Sequence, residues 1–290
     1  MKLKFSIITP TYNRAHTLER AIKSILNQTQ QDYEMIIVDD GYIDNTFDII
    51  QKYLHDIRIR YIGPNENGGV NVARNIGLES VSEDCDWITF LDSDDEFYPD
   101  SLEKMKTSIE NNPKYHYFRF AVTYANGKPA CFAKHDNLVL NYKETLKQEE
   151  VSGEWVVALS KNILEDGFRF IEDVNGFESI SWYQLSKKEL CFHSFQKVRI
   201  YHLDTEGLQR QSIKTDKYYA NQIKGINIFL NFHKKALKRF NNKDYATKLY
   251  ILSNANFRLG NYKSGLINLG KALVIDPLNS NVSKKLLKFK

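Results

Sequence analysis

The chain is poor in several things, and each shortage excludes a class of protein. It has three cysteines, Cys85, Cys131 and Cys191, odd in number and far apart. They form neither a disulfide framework nor the paired spacing of a zinc site, so a reducing compartment is expected. Six prolines and 14 glycines in 290 residues exclude a collagen-like chain. No stretch reaches the roughly 18 uninterrupted apolar residues that span a bilayer. Met1-Lys-Leu-Lys-Phe5 leads straight into a strand-like segment, without the apolar core and cleavage site of a secretory signal. A cytoplasmic location is the expectation.

What is there is ordinary for a folded chain: 42% hydrophobic and 26% charged residues. The length fits one large domain, or one domain with a small addition. The small net charge of +4 hides an asymmetry. Residues 214–290 hold 16 of the 40 Lys and Arg but only three of the 36 Asp and Glu. Residues 1–213 are therefore acidic on balance, with 24 basic against 33 acidic residues. A basic tail attracts polyanions such as anionic lipid headgroups or phosphorylated substrates, although a Lys-rich solvated helix surface would have the same composition.

The first hundred residues alternate between two hydrophobic periods. Strand-like runs lie at 4–9, 33–38, 57–62 and 87–91, and helix-period segments at 17–28, 46–54 and from Gly68-Gly69 to Ser80. This β-α-β order implies a parallel sheet with helices on both faces. Beyond it, a helix is expected from Pro99 to about Glu110, and strands at 115–124 and 130–132. A polar hinge is read over 134–153, helices over 156–164 and 180–186, and a strand over 198–203. The end reads as helical. Ile226, Phe229, Leu230, His233, Leu237 and Phe240 share one face, beside Lys234, Lys235, Lys238 and Arg239. Residues 246–279 resemble a single tetratricopeptide repeat, on Gly260, Tyr262, Ala272 and Pro277, with Gly265 where a small Ala is usual. One such repeat cannot bury its own face.

In parallel sheets ligands bind beyond the carboxyl ends of the strands. Here two of those ends carry clustered acids, Asp39-Asp40 and Asp92-Ser93-Asp94-Asp95. Carboxylates so placed repel one another unless a cation neutralises them. A hard divalent ion bridging protein and diphosphate would do so. The bare acidic run also suits a loop capping the helix near Pro99. Between the clusters lies Asn67-Gly-Gly-Val-Asn-Val-Ala-Arg-Asn-Ile-Gly77. Its glycines admit close backbone approach, its helix N-terminus favours anions, and Arg74 could face a diphosphate.

In this order and spacing, the segments resemble glycosyltransferase family 2, with the GT-A nucleotide-sugar fold. The resemblance rests on Phe5-Ser-Ile-Ile-Thr-Pro-Thr-Tyr-Asn-Arg14 and on Ile36-Ile-Val-Asp-Asp-Gly41 with Asp44 and Thr46. It rests also on Asn67-Gly-Gly with Ala73-Arg-Asn-Ile-Gly77, and on Phe90-Leu-Asp-Ser-Asp-Asp95 with Pro99. One departure is Tyr42, where the family usually has Ser. The resemblance implies a mixed α/β sheet flanked by helices over 1–213, followed by an all-helical basic extension over 214–290. Residues 1–110 would be the nucleotide-binding half and 111–213 the acceptor-binding half.

The resemblance further implies a set of site residues. Thr9, Pro10 and Tyr12 would line the base pocket, with Arg14, Asn67, Gly69 and Ser93 also at the nucleotide. Asp40 would contact the base, which favours uracil. Arg74 would lie near ribose or diphosphate, and Asp92 at the ribose. Asp94 would ligate Mn2+ or Mg2+, with Asp95 and His202 as further ligand candidates. An inverting member needs a carboxylate near a helix start in the second half. Glu178 fits best, with Ser179 where Asp is usual, and Asp173 and Glu172 are the competing pair. Arg210 and Gln211 would lie on a loop closing over the diphosphate. Trp155 and Trp182 suit either a sugar-binding wall or the core. The implied activity is transfer from a UDP-sugar to a surface glycan such as capsule or lipopolysaccharide, or to a lipid-linked acceptor. The basic helices would hold the enzyme on the inner membrane surface or form a homodimer, and no nucleic acid partner is expected. Two other readings compete. A nucleotidyltransferase would need a Gly-rich loop after the first strand, where Pro10-Thr-Tyr-Asn-Arg14 stands instead. An inert scaffold would bind no nucleotide.

Overall fold

The most apolar stretches become the strands with no exposed face. β1 (Phe5–Thr11) and β2 (Tyr33–Asp39) are buried at every residue, as strands covered on both sides must be. The computed structural model describes residues 3–41, 44–63, 66–203 and 214–277. Within it β3 (Ile59–Ile62), β2, β1 and β4 (Trp87–Phe90) lie side by side, all parallel. The helices α1 (Leu18–Leu26), α2 (Thr46–Gln51) and α3 (Val70–Glu79) supply the crossovers.

Alternate residues of β1 serve opposite faces. Phe5 and Ile7 join Leu18, Ala21, Ile22 and Ile25 of α1 in one core. Ile8 turns the other way, into the cluster that holds Leu78 of α3. Each fully buried Leu or Ile contributes roughly 1.5–3 kcal/mol relative to exposure. Gly77 lets α3 approach this closely, because a Cβ there would strike the Ile8 side chain.

The second half adds antiparallel strands. After β5 (Glu96–Phe97) and α4 (Ser101–Asn111) come β6 (Tyr117–Tyr124) and β7 (Cys131–Ala133). Residues 134–153, read as a polar hinge, instead contain β8 (Leu138–Leu140), α5 (Tyr142–Lys147) and β9 (Val151–Gly153). Asn141 and Glu144 cap α5 reciprocally, and that pairing is the local reason a six-residue helix forms there. The helix expected over 156–164 is also wrong. β10 (Trp155–Ser160) is a central strand antiparallel to both β4 and β6, and only α6 (Lys161–Glu165) is helical. A run such as Trp-Val-Val-Ala-Leu is apolar at every position, so periodicity does not separate a buried strand from a buried helix. α7 (Ser179–Leu185) and β11 (Cys191–Tyr201) complete the unit. The sheet order is β3-β2-β1-β4-β10-β6-β11-β5, with β8 also on β11. It is a mixed sheet with flanking helices.

The chain divides into Met1–Gly207 and Leu208–Lys290. The second unit contains α8 (Asp216–Phe240), α9 (Asn242–Arg258) and α10 (Tyr262–Ile275). Thr215 caps α8 and Asn241 caps α9 through their side-chain oxygens. Ile226, Phe229, Leu230, His233 and Leu237 are the buried stripe of α8. The Ser253 hydroxyl donates to the Gly265 carbonyl at 2.9 Å, joining α9 to α10. Among the described residues no helix is long and apolar enough to cross a membrane.

One buried group gives the fold a pH signature. His193 on β11 is 2% exposed. Burial, aided by the nearby Arg119 cation, lowers its pKa to about 3. The unfolded chain then binds a proton below about pH 6.5 that the folded chain refuses until about pH 3. Stability falls as pH falls through that window, by up to about 1.4 kcal/mol per pH unit. The His193→Leu variant is expected to lose this component. Denaturant titrations of both proteins between pH 6.5 and 4.5 should converge by about 2 kcal/mol; parallel curves would contradict the assignment.

Candidate active site

β1, β2 and β4 run in the same direction, so their C-terminal ends share one edge of the sheet. β2 runs out at Asp39-Asp40 and β4 at Asp92–Asp95. β1 lies between them, so these acidic ends stand two strand spacings apart, about 10 Å. The loop after β1 carries Tyr12 and Arg14, both half-buried.

Asp40 is buried, and its two carboxylate oxygens accept from the backbone N–H groups of Gly68 and Gly69, each at 2.8 Å. The end of β2 thereby fixes the loop that opens α3. Gly69 takes a left-handed φ of +91°, and a Cβ there would run into the Asn175 amide. Asn67 is exposed beside it. The neighbouring Asp39 is buried and accepts from the Tyr61 hydroxyl at 3.2 Å. Burial, reinforced by Asp44 and Asp40, pushes its pKa up. On β1, the Thr9 hydroxyl is buried without a hydrogen-bond partner among the described residues, and Pro10 is also buried.

At the end of β4 the carboxylates are matched by arginines. Asp92 receives Arg74 on one oxygen at 3.0 Å and Arg199 on the other at 3.2 Å. Burial opposes its charge, but these two guanidinium groups outweigh it and hold its pKa below the ordinary range. Arg74 also reaches Glu178 at 3.3 Å. Its guanidinium lies 5.5 Å over the Phe170 ring and 6.0 Å over Phe90. Asp94 stands 3.7 Å from Arg14, and its carbonyl accepts from Arg20. Ser93 is buried.

Asp95 and His202 take different surroundings. Asp95 is fully buried, accepts from the His202 backbone N–H at 3.0 Å and lies 3.4 Å from Arg199. Burial pushes its pKa up to about 7 in spite of Arg199. The His202 ring meets Glu96 at 2.9 Å. Among the described residues no group of three or more His, Cys, Asp or Glu is disposed to hold a metal ion. A cation here would therefore take most of its ligands from diphosphate and water, as Mg2+ commonly does. The Asp94 side chain is 21% exposed, against none for Asp95.

The base candidates sit on a segment clamped by α3. The Asn71 amide donates to the carbonyls of Ile171 and Val174, at 2.8 and 3.3 Å. Asn75 donates to the Phe170 carbonyl at 2.9 Å and to Glu172 at 2.8 Å, and accepts from the Phe170 N–H at 2.8 Å. Glu178 takes the N-cap position of α7. Glu172 and Asp173 are exposed. Trp182 packs among Phe90, Phe168 and Phe170 rather than standing open. Trp155 meets the His193 ring edge-on at 5.2 Å. Tyr42, Arg210 and Gln211 lie outside the described residues.

Sequence reading passed over three residues that organise this edge. Arg199 sits near the end of β11, and nothing in its neighbours marks it. Asn71 and Asn75 did leave a signal: poor helix formers spaced i, i+4 inside a helix. Replacing Asn75 by Leu strips partners from both backbone groups of Phe170, at a cost of about 1–3 kcal/mol. Hydrogen exchange of the amides of residues 170–175 should quicken markedly in that variant; unchanged protection there would show that α3 does not hold the segment.

Three comparisons bear on this arrangement. The sequence profile of glycosyl transferase family 2 matches residues 6–153. A GalNAc(5)-diNAcBac-PP-undecaprenol beta-1,3-glucosyltransferase of Campylobacter jejuni is 33% identical over 214 residues, covering 69% of this chain and 65% of that protein. The poly(ribitol-phosphate) beta-N-acetylglucosaminyltransferase TarP of Staphylococcus aureus is 41% identical over 114 residues, covering 38% of this chain and 34% of that one. The chain thus spans less than two thirds of these relatives. S. aureus TarS 1–349 in complex with UDP-GlcNAc shares the fold, with a TM-score of 0.66 at 19% identity, over 94% of this chain and 81% of TarS 1–349. The acid-lined strand edge described above falls inside the matched region, and the chain belongs to glycosyl transferase family 2.

Proposed function

We propose that the chain is an inverting, metal-dependent glycosyltransferase. It would move a sugar from a UDP-linked donor to a hydroxyl of a bacterial surface glycan or lipid-linked oligosaccharide. The observation that carries this reading is the Arg74 bridge, which joins Asp92 at the end of β4 to Glu178 at the start of α7. A residue that would meet the donor is thereby held next to a carboxylate suited to the acceptor. Relatives named for glucosyl and N-acetylglucosaminyl transfer, and a fold neighbour in complex with UDP-GlcNAc, support the same reading.

In this reading Thr9, Pro10 and Tyr12 surround the base. The Asp40 oxygens already accept backbone N–H groups, yet each keeps a second lone pair for an imide N–H. Asp92 receives the ribose, and Arg14 and Arg74 face the diphosphate. Asp94 would hold a divalent cation, which when bound neutralises charge on the departing diphosphate. Glu178 accepts the proton of the acceptor hydroxyl as that oxygen attacks the anomeric carbon. The bond from the anomeric carbon to the diphosphate oxygen breaks, and the diphosphate leaves with the electron pair. Glu172 and Asp173 are the alternative bases. The basic second unit would rest on the anionic inner face of the membrane, with affinity falling as salt rises. The α9–α10 pair would serve as a repeat-like surface for that contact or for a second copy.

A thermal-shift panel tests the donor assignment. With UDP at about 100 times its dissociation constant, stabilisation of about 2.7 kcal/mol is expected, with manganese present and not without it. A shift with GDP but not UDP would overturn the uracil assignment, and none with any nucleotide would overturn the reading. The Glu178→Gln variant should bind UDP normally and lose transfer by at least a hundredfold. Undiminished turnover would move the base role to Asp173 or Glu172.

A further inference from the structure

Arg119 is a charged residue within the sheet. It lies on β6, half-buried, beside Val157 of β10 and His193 of β11 in the strand register. Its Nε donates to the Tyr117 hydroxyl at 2.8 Å, and its guanidinium lies 5.5 Å over that ring. Among the described residues no carboxylate pairs with it. The groups around it are neutral near pH 7. Burial pushes the Tyr117 hydroxyl well above its usual range and the Cys191 thiol up to about 11, while His193 is held at about 3. A half-buried guanidinium with no anion beside it remains available to one.

Its position says what that could be. Trp182 stacks on Tyr117 with ring centroids 6.2 Å apart. The same indole touches Phe170 at 5.0 Å and Phe90 at 6.1 Å, the two rings beneath Arg74. Three successive rings, Tyr117, Trp182 and then Phe170 or Phe90, therefore lead from Arg119 to Arg74. On the sheet, β6 lies two strands from β4, with β10 between, a span of about 10 Å. Arg119 therefore lies on the other side of β4 from β2 and Asp40. The donor edge already has Arg14, Arg74 and Arg199 for its own anions.

We propose that Arg119 recognises an oxyanion, a phosphate or a carboxylate, carried by the acceptor glycan. The guanidinium fork matches either group with two parallel hydrogen bonds. The half-buried Tyr183 ring of α7 suits a sugar C–H surface. This assignment rests on the glycosyl-transfer reading, and the test separates the two.

The full-length protein is saturated with UDP and manganese, so that the donor edge is occupied. It is then titrated at constant ionic strength with glucuronate, inorganic phosphate, or glucose as the neutral control. At about five times the dissociation constant, glucuronate or phosphate should raise Tm by about 2–4 °C, and glucose should not. The Arg119→Met variant should keep the UDP shift and lose this increment. Arg119→Lys, which keeps the charge but not the fork, should weaken the anion at least threefold and guards against a Met variant that fails to fold. With charge-matched acceptor pairs, Arg119→Met should raise KM at least tenfold for the anionic member and leave the neutral one unchanged. A UDP shift accompanied by equal anion increments in wild type and both variants overturns the Arg119 assignment alone. No UDP shift in the wild type overturns the glycosyl-transfer reading instead.

Discussion

The arrangement depends on one guanidinium. Arg74 projects from α3 and touches Asp92 and Glu178 at once. These acids come from distant parts of the sequence, one at a strand end and one at a helix start. With its side chain only 12% exposed, Arg74 interacts with them more strongly than a surface arginine would. The Phe170 and Phe90 rings beneath it add cation–π attraction and keep out water. Removing either acid would leave a largely buried positive charge short of a partner, the costly case for buried ion pairs. Asp92 gains in the same exchange: its pKa is held below the usual range, so its stabilising contribution is present at neutral pH and lost as pH falls below about 4.

Arg199 performs a second task from the opposite side. It contacts Asp92 and the buried Asp95, and it also lies 3.6 Å from Glu154. Asp95 in turn holds the backbone of His202, whose ring meets Glu96. Strands β5 and β11 are thus joined by charge as well as by their ladder. Asp94 is left as the more open of the two adjacent acids, since the next carboxylate is turned inward. A tight turn, closed by the Asp95 N–H donating to the Asp92 carbonyl at 3.1 Å, sets the two side chains apart.

Much of the fold could be read from the sequence because two periods dominate its first hundred residues. β1 announces itself by its aromatic and β-branched residues, β2 by its Met-Ile-Ile-Val run, and α1 by Leu18, Ala21, Ile22 and Ile25 on one stripe. The second half resists the same reading. β10 is apolar at almost every position, so its period is invisible, and α5 depends on a reciprocal cap rather than on a hydrophobic pattern. At the site, clustered acids at strand ends are conspicuous in sequence. Arg199, which balances Asp92 from the other side, is not, because it is brought there only by the pairing of β11 with β6 and β5. Arg119 is equally silent: that no carboxylate among the described residues pairs with it is a property of the packed sheet.

A crystal of the full chain soaked with UDP-GlcNAc and manganese tests the central claim most directly. The account predicts density for the nucleotide along the ends of β1, β2 and β4. Uracil should lie near Asp40, the metal against Asp94, and the diphosphate within reach of Arg74. An empty edge, or a nucleotide bound elsewhere while Arg74 keeps both of its carboxylates, would contradict it.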